Sequence, residues 1–458
     1  MMGESSVPPG PEGLPFLGNA LQFRRDPLAF VQGAQRAFGS VATARIRDMP
    51  VVMFFRPEHV CYFLYENPRN FTNGEFAGNL RDFLGDGLLT LDGEFHRQQR
   101  RLVQPAFHKR RVDSYGALMV RYTRELLDTW LPGMRIDIAR AMQELTLRIV
   151  AQALFDVDLN AEHTSMADGF RLIIENPTQV PRSLASLPID LPFTPYGRNQ
   201  RGRRALDAYV FALIARRRAE GRDAGDIVSM LLAAQEGAAR MTDKQVRDQA
   251  MTFFAAGHET TSNALAWTFY LLSGHPRERD RLLAELAAVL TGRDPTVDDL
   301  PRLPYLDWVM SESMRLYPPA WTQGRRAIGA FDLAGYHFPA GTIVMFSQWV
   351  LHHLPDVWGD PMAFRPERWD PVDGQKPPQG AYFPFGGGPR MCIGMPFAQL
   401  EARLLLATIL QRFMPRVVPG YPVVTRPRVT LRPKYGIQVT LEPSRVVSLV
   451  PATHAARP

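Results

Sequence analysis

A cysteine at the end of a glycine-rich turn carries the most specific chemistry in this chain. Phe385-Gly386-Gly387-Gly388-Pro389-Arg390-Met391-Cys392-Ile393-Gly394 sets a sulfur after three consecutive glycines and just before an apolar run, Met395 to Phe413, that reads as a helix. Glycines remove side-chain bulk, so backbone and sulfur can approach a flat, wide partner. The N–H groups opening the helix favour a deprotonated thiol. Arg390, two residues before the sulfur, can balance negative charge on the thiolate or on a bound carboxylate. The pattern suits a thiolate ligand to haem iron. The chain has 2 cysteines, and the other, Cys61 in the apolar run Val60 to Leu64, reads as a small core residue.

Three further groupings could do chemistry or support it. Ala255-Ala256-Gly257-His258-Glu259-Thr260-Thr261 stands in the middle of a long apolar pattern that opens with the capping box Thr242-Asp243-Lys244-Gln245 and runs to Ser273. A helix of that length spans on the order of 47 Å. Gly257 weakens it at its centre, and the Thr260 hydroxyl can compete for a backbone carbonyl, which makes room for a ligand or water. Glu312 and Arg315, three apart on a helix ended by Pro318-Pro319, share one face. His96 and Arg100, four apart on a helix from Gly93 to Gln104, share another and could hold carboxylates. The adjacent His352 and His353 do not converge on one ion, and His258 reads as structural.

The decapeptide resembles the ligand loop of the cytochrome P450 family, Phe-Gly-x-Gly-x-Arg-x-Cys-x-Gly, and matches it at every fixed position. The order of motifs agrees: Ala-Gly-x-Glu-Thr, then Glu-x-x-Arg, then Phe364-Arg365-Pro366-Glu367-Arg368-Trp369, then the cysteine loop, with the likeness covering about Pro11 to Leu441. The resemblance implies a mainly α fold with a smaller β-rich region, as a single compact domain over residues 19–443. A Pro/Gly-rich segment (1–18) would precede it and a frayed tail (444–458) would follow. It implies haem b with Cys392 as the metal ligand, Phe385, Arg390 and Gly394 in the cofactor loop, and propionate contacts from His96, Arg100 and Arg325. Glu259 and Thr260 would relay protons to dioxygen, while Glu312, Arg315 and Arg368 would form a structural triad. The substrate pocket would draw on Phe76, Leu80 and Phe83 in a glycine-rich roof loop. Phe253, Ala256, Gly257, Ala320, Trp321 and Leu431 complete that set. A proline-rich stretch, Pro177 to Pro195, reads as a lid.

The expected activity is insertion of one oxygen atom from O2 into an apolar small molecule, whether fatty acid, terpenoid, steroid or polyketide. Electrons would come from NAD(P)H through a separate ferredoxin or flavodoxin with its reductase, because no flavin- or ferredoxin-like segment follows the cysteine loop. A haem-thiolate peroxygenase, or a hydroperoxide isomerase or lyase, would need no redox partner and is expected to depart from the Glu-Thr pair.

The elements that must position these groups are legible in outline. Val41 to Ile46 and Val51 to Phe55, separated by Arg47-Asp48-Met49-Pro50, predict a hairpin at the edge of a small sheet. Helices are predicted over Leu118–Leu131, Ala139–Phe155 and Arg201–Arg218. Strands are predicted from Arg325 to Trp349, with a turn-containing hairpin over Gly335–Thr342, and a last hairpin over Val423–Val439 with its tip near Leu431. In 458 residues, 45% hydrophobic and 22% charged is the balance of a water-soluble globular protein. With no run of eighteen apolar residues, no transmembrane anchor is expected, and the cysteine usage suits the cytoplasm. The net charge of +7 comes with no aromatic-interleaved basic patch or helix-turn-helix pattern, so no nucleic acid is expected. Arg97 to Arg101 and Lys109 to Arg111 instead suit an acidic electron donor.

Overall fold

The long apolar pattern folds as one helix, Asp243–Gly274, of 32 residues. Its capping box forms from both sides: the Thr242 N–H donates to Gln245 Oε1 at 2.8 Å, and the Gln245 N–H donates to Thr242 Oγ1 at 3.3 Å. The computed structural model describes residues 7–74, 80–81, 84–159, 194–221, 225–236, 239–374 and 376–446. Over these the chain is mainly helical with a smaller β-rich part. The expected lid, Pro177 to Pro195, lies outside the described residues except for Thr194 and Pro195, which open the helix Pro195–Glu220, and most of the expected C-terminal tail lies outside them too. Among those residues, no helix is long and apolar enough to cross a membrane.

The described residues pack as two units interleaved in sequence. One draws on Met1–Phe76, Val112–Leu145 and Glu259–Pro458, the other on Ala77–Arg111 and Thr146–His258. The long helix passes from the second into the first between His258 and Glu259.

In the first unit, a five-stranded sheet runs in the order Val41–Ile46, Met49–Phe54, Ile343–Phe346, Gln323–Ala327, Phe71–Thr72. The hairpin predicted from its alternating apolar residues forms at the sheet edge, with Val41 opposite Phe54 and Ile46 opposite Met49. Met49–Phe54 then pairs in parallel with Ile343–Phe346. Both faces of the paired stretches Val51 to Phe54 and Ile343–Phe346 are buried, which is why their residues are apolar without alternation. Phe63 stacks on Phe346 at 5.5 Å and meets Phe54 edge-on at 4.9 Å, tying the turn Tyr62–Glu66 to the sheet.

Phe413–Val417 and Gln438–Pro443 pair and take Arg135–Asp137 as a third strand. The last hairpin is narrower than the pattern suggested. Thr425–Pro427 pairs with Leu431–Pro433, so its tip is Arg428–Thr430 and Leu431 begins the return strand. The hairpin expected over Gly335–Thr342 instead turns at Ala334 and Gly335, whose φ values are +56° and +82°. The helices Gly116–Leu127 and Met395–Arg412 pack together, and Gly116 leaves no room for a Cβ beside Val297.

In the second unit, the helix Ile138–Phe155 enters from Thr146 onward and crosses the long helix near its midpoint. A Cβ on Gly257 would meet Val150 Cγ2 at 3.2 Å, so this glycine sets how closely the two helices approach. The Thr146 hydroxyl donates to the His258 carbonyl at 2.9 Å, drawing on a backbone acceptor of the weakened turn. The helix Gly93–Val103 carries His96 and Arg100, and its end passes into a short 3-10 turn containing Pro105.

Candidate haem-thiolate site

The ligand loop lies flat against the segment beneath it. Gly386 and Gly388 have φ of +69° and +59°. A Cβ on Gly388 would stand 1.7 Å from the Leu64 carbonyl oxygen, and one on Gly387 would stand 2.3 Å from the Tyr65 hydroxyl oxygen. Only glycine lets the backbone pass so close to the π-helical turn Tyr62–Glu66. The Cys392 N–H donates to the Phe385 carbonyl at 2.9 Å and closes the loop, leaving Cys392 exposed. The helix Met395–Arg412 begins three residues later, with Gly394 as its N-cap. Phe385 and Arg390 are half-buried. Cys61 is half-buried and neither cysteine is in a disulfide.

A buried ionic centre fixes where that loop starts. Glu312 and Arg315 have no exposed surface. Arg315 grips the carboxylate with two parallel bonds, Nε to Oε2 at 2.9 Å and Nη2 to Oε1 at 2.8 Å. Arg368 Nε adds a third at 3.2 Å, so the structure brings the expected triad together. The remaining donors of Arg315 go to the carbonyls of His352, Pro361 and Ala363 at 2.9, 2.7 and 3.0 Å. Arg368 likewise serves the carbonyls of Trp358 and Asp360. Glu312 also accepts from the Arg365 N–H at 3.0 Å and from Trp369 Nε1 at 3.0 Å.

His352, which the sequence offered only as a rejected metal ligand, is the bridge to the cysteine loop. Its Nε2 accepts from the Phe383 N–H at 3.1 Å while its own carbonyl is held by Arg315. Accepting at Nε2 requires a neutral ring, and complete burial holds its pKa well below the usual histidine value. His353, donating from Nδ1 to the Trp349 carbonyl at 2.6 Å, is pushed down by burial to about 4. Neither belongs to a group of metal-binding side chains among the described residues.

Along the long helix, the middle is where surface breaks through. Met251 to Phe254 and Thr261 to Phe269 are buried, but Ala256 is exposed and Ala255, Gly257, Glu259 and Thr260 are half-buried. Ala256, Glu259 and Thr260 are three and four apart, so the opening lies on one face. His258 turns to the other side: it is buried, its Nδ1 meets the Phe254 carbonyl at 2.9 Å and its ring stacks on Phe254. Phe253 is buried against Phe107 at 5.0 Å. Glu259 Oε1 accepts from the Thr430 hydroxyl at 2.6 Å, a contact across 171 residues that no local pattern announces.

Among the expected propionate contacts, Arg325 is buried, with Nη1 on the Gly324 carbonyl at 2.7 Å and Nη2 on Gln323 Oε1 at 3.1 Å. In the other unit, His96 is buried and Arg100 half-buried on their helix. Of the expected pocket residues, Ala320 and Leu80 are half-buried, while Phe76 and Phe83 lie outside the described residues. Trp321 and Leu431 pack with Leu28 in a small apolar cluster, and Leu431 has no exposed surface. Their side chains brace the last hairpin.

The residues of the ligand loop fit haem. A soft sulfur ligand sits on the open side of a loop whose other side is pressed flat, and a glycine cradle leaves no Cβ near the backbone it crosses. Arginines stand in the loop and on the neighbouring strand for carboxylate groups.

The chain is similar to known proteins over nearly its whole length. The family model described as cytochrome P450 matches residues 8–441. Two proteins of Streptomyces melanosporofaciens, cyclooctat-9-en-7-ol 5-monooxygenase and cyclooctatin synthase, are 37% and 36% identical. The first covers 91% of this chain and 93% of its own length, the second 92% of each. Pentalenene oxygenase of Streptomyces avermitilis is 34% identical over 90% of this chain and 92% of its own. Among solved structures, a cyanobacterial CYP120A1 with retinoic acid bound superposes with a TM-score of 0.85 at 31% identity, covering 95% of this chain and 99% of that one. The chain belongs to the cytochrome P450 family and is an oxidoreductase of that type.

Proposed function

We propose that the chain is a haem-thiolate monooxygenase that hydroxylates or epoxidises a cyclic terpenoid, with haem b held by Cys392. The observation that carries this reading is the glycine cradle, which sets one exposed cysteine on the open side of a loop anchored through His352 to the Glu312–Arg315 pair. Haem bound through a thiolate supplies dioxygen activation and O–O cleavage.

The chain's own residues do the rest. Arg390 and Arg325 would pair with the propionates of that group, and His96 and Arg100, on their own helix, are proposed for the same kind of contact. Glu259 and Thr260, on the open face of the long helix, hold and pass protons while water is otherwise kept out by the buried turns on either side. Ala256, exposed on the open face, offers almost no side chain, which leaves room for a rigid apolar skeleton beside it. The substrate class is supported by the names of the relatives, which refer to cyclooctat-9-en-7-ol, cyclooctatin and pentalenene. Two electrons come from NAD(P)H through a ferredoxin or flavodoxin and its reductase. Arg97, Arg101, Lys109 and Arg110 are exposed and present the positive charge that an acidic donor needs. Cysteine usage favours a cytoplasmic setting.

A binding screen tests the reading. Cyclic terpenes added to the haem-loaded protein should shift the Soret band to the blue, and binders should give oxygenated product with NAD(P)H and a surrogate ferredoxin system. Turnover with hydrogen peroxide but not with reductant would make it a peroxygenase instead. A spectrum that no apolar compound perturbs would sink the substrate assignment.

A further inference from the structure

The long helix grips the tip of the last hairpin through three residues spaced one turn apart. Glu259, Asn263 and Trp267 lie at successive fourth positions and so form one stripe. Glu259 Oε1 accepts from the Thr430 hydroxyl at 2.6 Å, and Asn263 Nδ2 donates to the same hydroxyl oxygen at 3.1 Å. Trp267 Nε1 donates to the Leu431 carbonyl at 3.0 Å.

The donor and acceptor roles are thereby fixed. An amide NH2 only donates, so Asn263 occupies a lone pair of the Thr430 oxygen and the single hydroxyl proton is left for Glu259. A carboxylate that accepts such a bond is held in position. Thr430 is itself immobilised: it is buried, its carbonyl accepts from the Arg428 N–H at 2.9 Å, and the next residue donates its N–H to the Pro319 carbonyl at 2.8 Å. Trp321 Nε1 holds the Arg428 carbonyl at 2.9 Å from the other side.

We propose that Thr430 is the positioning residue for the proton-relay acid: its hydroxyl, oriented by Asn263, holds Glu259 ready on the open face of the long helix. This rests on the monooxygenase reading above. It makes proton delivery depend on the placement of a hairpin that also borders the Ala320–Trp321 segment.

The test compares Thr430→Val, which keeps the shape and removes the hydroxyl, with Thr430→Ser, which keeps the hydroxyl. In the protein without substrate, the infrared carboxylate band of Glu259 is identified by its disappearance in Glu259→Gln. That band should shift in T430V and return to its native position in T430S. During turnover, T430V should lower product formed per NAD(P)H consumed about tenfold, with hydrogen peroxide making up the difference, and T430S should restore most of it. The double variant E259Q/T430V should be no worse than E259Q alone, because Thr430 acts through that carboxylate.

Multiplying losses in the double variant, or an unmoved infrared band in T430V, would overturn the proposal. If T430V does not fold, Asn263→Ala removes the orienting donor and should shift the same band less than T430V is expected to, and an unmoved band there also overturns it. Failure of the monooxygenase reading would show separately, as no reductant-driven product from the unaltered protein, with the infrared comparison still readable.

Discussion

Glu401 shows what burial does to a single carboxyl group. It sits on the helix that follows the cysteine loop and has no exposed surface. Burial pushes its pKa up to about 8, with the Thr261 hydroxyl nearby offsetting only part of the cost. The native state therefore keeps a proton that the unfolded chain releases above the ordinary carboxyl value of 4.5. Stability is full below that value and is lost as pH rises towards about 8, at about 1.4 kcal/mol per unit where only one state is protonated. Glu401→Gln should be more stable than the parent at pH 8 and should remove most of the decline between pH 6.5 and 8, read by thermal unfolding across that range. An unchanged decline in the variant would show that other groups cause it.

At the scale of elements, the anchoring of the ligand loop is a chain of bonds: Glu312 to Arg315, Arg315 to the His352 carbonyl, and the Phe383 N–H to the His352 ring. Arg315 makes five hydrogen bonds in all, from three nitrogens, while wholly buried. Lysine offers one point charge and no planar fork. Arg315→Lys should cost about 3–5 kcal/mol, the range for breaking a buried pair, and should lower the fraction of protein that retains haem. Denaturant melts and haem content per chain would measure both. A variant with native stability would show the triad to be dispensable.

The sequence showed part of this directly. Glu312 and Arg315 share a helix face by spacing alone, and the capping box at Thr242 predicted the start of the long helix. The glycines at 386–388 announced a close approach without saying to what. His352, Trp369 and Thr430 stayed hidden because their partners lie 31, 57 and 171 residues away. One signal was available for Thr430. Glu259, Asn263 and Trp267 form a stripe of hydrogen-bonding groups along one face of the long helix, and such a stripe, where buried, needs a polar partner. Hairpin limits were misjudged where turns depend on left-handed residues such as Ala334, which sequence does not mark.

For the molecule as a whole, buried imidazoles set the acid limit. Burial lowers the pKa of His352, His353 and His59 from the usual 6.5, that of His353 to about 4. Below pH 6.5 the unfolded chain takes up protons that the native state refuses, so stability falls with falling pH down to about 4. Glu401, together with Glu285 and Asp307 whose carboxyls burial also raises, opposes part of that fall. The expected profile is a dome with its top near pH 6.5, where the imidazoles have deprotonated in both states. Unfolding midpoints between pH 4 and 8 would trace it, and a flat profile would contradict these assignments.

The proposed chemistry rests on Cys392 as the thiolate ligand of a haem iron. The most direct measurement is the absorption spectrum of the reduced, haem-loaded protein under carbon monoxide, taken for the native chain and for Cys392→Ser. The native protein should show the far-red-displaced Soret band of thiolate ligation, and the serine variant should lose it. A serine variant that kept that band would mean that the iron is held by something other than Cys392.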